Sequence, residues 1–146
     1  MDFITRLPDI IFNIHPIHTP TVHFPIALTA VAALFLLLAL WRKNAVLEAA
    51  SFFNMVLAAV STVVAGATGY RDHLVRFEGE APMANVKIFL GITLFLLTVI
   101  LVIARWRNSE IAWQPKTMLL YAVGFIASFL LATTLGFIGG GILYGF

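Results

Sequence analysis

The chain contains no cysteine, and that absence alone excludes disulfides, thiolate metal sites, iron–sulfur clusters and covalently attached c-type haem. Charge is nearly as scarce: 11% of the 146 residues are charged against 61% hydrophobic, and the mean hydropathy is +0.98. A small water-soluble core cannot hide that much apolar surface, so the sequence is that of an integral membrane protein. No phosphate-cradling glycine loop is present, because Gly139–Gly141 follow the last apolar run rather than opening a helix. Carboxylate pairs are also missing from the middle of the apolar runs. These absences argue against an autonomous enzyme and against a nucleic-acid partner. Any metal or cofactor must use His, Asp, Glu or backbone oxygen.

What is present is concentrated in one stretch, His15-Pro16-Ile17-His18-Thr19-Pro20-Thr21-Val22-His23-Phe24-Pro25, which carries three of the four histidines. Each proline biases the residue before it, here His15, Thr19 and Phe24, away from the α region. The expectation is a stiff, extended or turning segment at the membrane surface, with residues 1–20 forming an interfacial lead-in. Met1–Ile14 has apolar residues three or four apart, which suits a short amphipathic turn on the bilayer. Its Asp2, Arg6, Pro8 and Asp9 do not match a cleavable signal, so the first span is expected to direct its own insertion.

Four apolar runs follow, predicting spans over about 21–41, 46–70, 87–105 and 118–139. The start of the first is open, since Pro20 and Pro25 both suit the first position of a helix. In the second, Ser61, Ala65 and Gly69 recur every four residues, as do Ala58, Thr62 and Gly66. Ala132, Gly136 and Gly140 repeat the pattern in the fourth. Such faces allow close approach of a neighbouring backbone, within the bundle or from another subunit. Asn54 is expected to form an interhelical hydrogen bond, and residues 71–87 to form the longest polar loop. Spanning segments with short connections can satisfy their backbones only as helices, so the predicted fold is an all-α, four-helix membrane bundle. Lys and Arg number five on the side of Arg42, Lys43, Arg105, Arg107 and Lys116, and four on the other side. That bias predicts both termini outside the cytoplasm.

This topology puts all four histidines at one end. His15, His18, His23 and His73 would stand together there, with Arg71, Asp72 and Arg76 alongside. Two imidazoles from different helices facing across a plane are what b-type haem requires, and nearby arginines suit its propionates. Asp72 is placed to orient a ligating imidazole from behind. The same nitrogens would serve another His-ligated metal such as Zn²⁺ or Cu²⁺. Equally, interfacial histidines and arginines simply reach toward headgroups and loop carbonyls without binding any cofactor.

The motifs His15-Pro16-x-His18-x-Pro20-x-Val22-His23-Phe24-Pro25, Gly69-x-x-Asp72 and Gly136-Phe137-x-Gly139-Gly140-x-Ile142-Leu143-Tyr144 resemble the bacterial four-helix membrane family known as domain of unknown function 2231. The resemblance covers nearly the whole chain. It implies a place in membrane electron transfer, because members of that family sometimes occur fused to or beside Rieske-type or c-type cytochrome domains. Many members carry a histidine near the start of the third span, where this chain has Asn85-Val86-Lys87; if that histidine ligates in the family, its role here passes to His73 or is absent. The resulting expectation is a small subunit of a redox assembly, holding b-type haem through His23 with His73, His15 or His18 opposite. Its partners would be lipid, other subunits or a second copy, and a quinone. The alternative is a cofactor-free structural or assembly subunit.

Overall fold

A computed structural model describes residues 4, 6 and 17–144, with side chains through Ile142. The predicted surface turn of Met1–Ile14 and the position of His15 lie outside the described residues, apart from residues 4 and 6. Four helices follow one another: α1 (His18–Arg42), α2 (Ala45–Arg76), α3 (Ala84–Arg107) and α4 (Met118–Tyr144). Each is long and apolar enough to cross a membrane, which is the predicted all-α bundle. They close into a ring in which α1 packs on α2, α2 on α3, α3 on α4 and α4 back on α1.

The lead-in is shorter than expected, because α1 starts at His18 and carries both Pro20 and Pro25 within its length. The proline bias at Thr19 and Phe24 is overridden. Pro20 sits in the first turn, where a missing N–H leaves no bond unmade. Pro25 is buried deeper and deprives the Thr21 carbonyl of its helical partner. One turn on, the buried Thr29 hydroxyl donates to the Pro25 carbonyl at 2.7 Å, so the only polar side chain of this run is satisfied within its own helix.

The α1–α2 turn is built from two residues. Lys43 adopts the left-handed conformation at φ 50°, its N–H bonding to the Ala39 carbonyl. Asn44 then caps α2, its Oδ1 accepting from the Val46 and Leu47 amides at 2.9 and 3.1 Å. At the other end α2 runs on to Arg76, so Arg71, Asp72, His73 and Arg76 are helical and not part of a loop. The connection left to cross, residues 77–83, turns at Gly79, whose φ of 85° favours glycine.

The core is made from small residues facing large ones. Ala32, Leu36, Met55 and Ala58 meet in the α1–α2 seam, where Ser51 donates to the Ala32 carbonyl at 2.7 Å. Phe125 and Tyr121 stack edge to face at 4.8 Å between ring centres on α4. Gly124 admits Leu101 of α3, and Gly136 admits Ile26 of α1; a Cβ at either position would lie 2.6 Å from the intruding side chain. The small-residue faces of α2 and α4 are therefore used largely inside the bundle. Gly66 and Gly140 have nothing within 4 Å of a Cβ position. Asn54 does not bridge helices: its amide donates to the Ala50 carbonyl one turn back.

Candidate functional site

Helix α1 begins without a capping side chain of its own. The orphan donor is met from the neighbouring helix: the His18 N–H bonds to Asp72 Oδ2 at 3.1 Å. Asp72 thus supplies, across the α1–α2 seam, the carboxylate that a helix N-terminus attracts. It is buried, and Arg71 Nη1 bonds its second oxygen at 2.8 Å. The His18 imidazole lies flush on Gly69, where a Cβ would come within 2.9 Å of Cε1, 3.0 Å of Nδ1 and 3.3 Å of Nε2. Thr68 Oγ1 stands 3.4 Å from His18 Nδ1 and 2.8 Å from the Thr21 hydroxyl. One glycine, two threonines and one carboxylate therefore hold the first turn of α1 against the last turns of α2.

The remaining predicted residues do not join this group as a ligand set. His23 is exposed, five residues beyond His18 and so about 140° around the helix from it. Its Nδ1 is 2.8 Å from the Thr19 carbonyl. A carbonyl can only accept, so Nδ1 carries a proton, and in the neutral tautomer that this bond selects the lone pair is on Nε2. His73 lies one turn past Gly69 on α2; its Nδ1 is buried with no hydrogen-bond partner among the described residues. Arg76 is exposed on the last turn of α2. His15 lies outside the described residues. Among the described residues, no three His, Asp or Glu side chains come together to hold a metal ion.

The face of the His18 ring lies on the Gly69 backbone near Cε1 and Nδ1, so that face is closed. His18 and His23 face different sides of α1. Of the described imidazoles, His23 alone is exposed.

The opposite end holds a polar centre absent from the sequence expectations, in which Arg105 counts only as one of the basic residues on its side of the membrane. Glu48 sits in the first turn of α2 and is 2% exposed. Arg105, in the last turn of α3, grips it with both arms of the guanidinium, Nε to Oε1 at 2.5 Å and Nη2 to Oε2 at 2.9 Å. The guanidinium also lies 5.5 Å from the centre of the Phe52 ring. Tyr121 of α4 stands beside the pair, its buried hydroxyl without a partner among the described residues. The available signal is positional: Glu48 stands within the apolar stretch Ala45–Ala50, and Arg105 directly abuts Ile103-Ala104.

Four apolar helices closed into a ring and joined by short turns, with polar side chains gathered at the two ends, define a multi-pass α-helical membrane protein. None of the curated proteins and none of the solved structures compared with the chain matches it. Residues 14–144 match the family model described as "Predicted membrane protein (DUF2231)", and the chain belongs to that family.

Proposed function

We propose that this chain is a scaffold subunit of a larger membrane assembly and that its histidine end is a helix clamp. The observation that carries this reading is the engagement of His18, whose backbone N–H is bound by Asp72 and whose ring is seated on Gly69 beside Thr68. Polar groups shared between membrane helices commonly act as such joints. The redox setting implied by the family resemblance then belongs to the partners. Support for a partner comes from α3, in which only Leu94, Thr98 and Leu101 are buried while Ile92, Leu96 and Ile100 face outward.

His23 favours a second reading, in which b-type haem or another metal sits at a subunit boundary. Its Nδ1 proton is engaged by a backbone carbonyl and its Nε2 is turned out of the bundle, the form in which ligating imidazoles are held. When bound, haem would supply one-electron transfer; His23 would help to hold it, together with a group from a partner subunit or second copy.

Oxidised and dithionite-reduced visible spectra of the protein, purified in mild detergent from cells supplied with haem, test both readings. The scaffold reading expects no b-type band from the isolated subunit. The boundary reading expects a band that His23→Ala removes and His18→Ala retains. A band that survives His23→Ala but disappears in His18→Ala or His73→Ala would overturn both.

A further inference from the structure

A cleft of about 350 Å³ opens at the tryptophan end of the bundle, lined by Leu40, Lys43, Ala45, Trp113 and Met118. It lies where the α1–α2 turn faces the start of α4 and the 108–117 connection. Its walls are graded. Leu40 and Met118 are apolar, while Lys43 carries its ammonium on a backbone pinned in the left-handed conformation. Trp113 is half-buried, and its own amide is fixed by a 2.8 Å bond to the Glu110 carbonyl.

The charge around the cleft is one-sided. Arg42, Arg107 and Lys116 are exposed at the same end as Lys43, whereas Glu48 is sequestered by Arg105, which leaves Glu110 as the acid facing water there. A hydrocarbon-lined notch with a lysine at its mouth, an interfacial indole on its wall and surplus positive charge around it matches the amphipathic order of a lipid.

We propose that this cleft binds an anionic phospholipid of the adjoining leaflet. The phosphodiester lies against Lys43, the glycerol and first acyl carbons run along Leu40 and Met118, and Trp113 packs at the ester level. Basic pockets between membrane helices recognise anionic headgroups in this way, and the proposal holds for whichever leaflet meets this end.

The test uses the full chain carrying Trp41→Phe and Trp106→Phe, which leaves Trp113 as the sole tryptophan, since the chain has three. Both replaced residues are exposed and neither lines the cleft. The protein is reconstituted in phosphatidylcholine vesicles doped with brominated phosphatidylglycerol or, at the same mole fraction, brominated phosphatidylcholine. Phosphatidylglycerol is expected to quench Trp113 at lower mole fraction. Lys43→Asn, chosen because asparagine tolerates the left-handed backbone, is expected to weaken that preference about fivefold. Lys43→Arg is expected to keep it, and Lys116→Gln, which removes the same charge outside the cleft, is expected to change it less than about twofold. Equal quenching by the two lipids overturns the proposal. So does an equal loss in Lys116→Gln, which would reduce the effect to general surface potential. Competition by soluble glycerol 3-phosphate would also overturn it, by assigning the cleft to a free phosphate.

Discussion

Removing Arg105 while leaving Glu48 in place would strand a carboxylate that is 2% exposed and has lost both of its charge-assisted hydrogen bonds. Breaking one side of a buried ion pair typically costs about 3–5 kcal/mol. The Arg105 side chain is 20% exposed, so water reaches one edge of the site and the lower end, about 3 kcal/mol, applies to Arg105→Met. Glu48→Met should cost less, about 1–2 kcal/mol, because a freed arginine can turn its head toward the interface. The double variant Glu48→Met/Arg105→Met should fall within about 1 kcal/mol of the parent, since two flexible apolar side chains of similar volume fill the space with no charge to desolvate. Reversible unfolding in mixed micelles, followed by circular dichroism as the dodecyl sulfate fraction is raised, measures all four corners of the cycle. The coupling energy should exceed about 2 kcal/mol. If the double variant loses the simple sum of the two singles, the pair is not a coupled unit and the reasoning fails.

At the other end, Gly69→Ala should drive the His18 ring off its seat and cost about 1–3 kcal/mol, and His18→Ala in the same chain should recover part of that loss; an unaltered micelle transition in Gly69→Ala would contradict the packing. Asp72→Ala should cost about 1–3 kcal/mol and speed amide exchange in the first turn of α1, whereas Asp72→Asn, which keeps an acceptor oxygen, should protect that turn nearly as well as the parent. Ser51→Ala removes the hydroxyl bridge to the Ala32 carbonyl and should cost about 0.6 kcal/mol in the same unfolding assay. His23→Ala should leave stability within about 0.5 kcal/mol of the parent, because the ring is exposed and bonds only to its own helix.

The four spans are legible in the sequence because hydropathy and length decide what crosses a bilayer, and no tertiary partner changes that outcome. The ends are less legible because their structure depends on the other helices. Proline bias at Thr19 and Phe24 is a local preference. It yields where Asp72, far along the chain, supplies the missing cap to His18. In the same way, Gly69 is visible as part of a small-residue face, but nothing near it in sequence announces that an imidazole occupies the space it leaves. Glu48 and Arg105 are separated by 57 positions, and each taken alone looks like an ordinary charge beside a turn. The histidine cluster shows the converse. Crowding three imidazoles into one stretch suggests convergence, yet the helical path through that stretch sends His18 and His23 to different sides.

The ring of helix contacts also means that the first and last helices are next-door neighbours. Ile26 of α1 fills the notch at Gly136 of α4, and both lie toward the same end of the bundle. A short linker from the end of α4 to the start of α1 would therefore bridge adjacent elements, and new ends could be opened at the exposed Gln114-Pro115-Lys116 of the α3–α4 connection. Such a rearranged chain would keep every interhelical seam while inserting α4 first. It would separate what the bundle owes to its final packing from what it owes to the order in which the helices leave the ribosome.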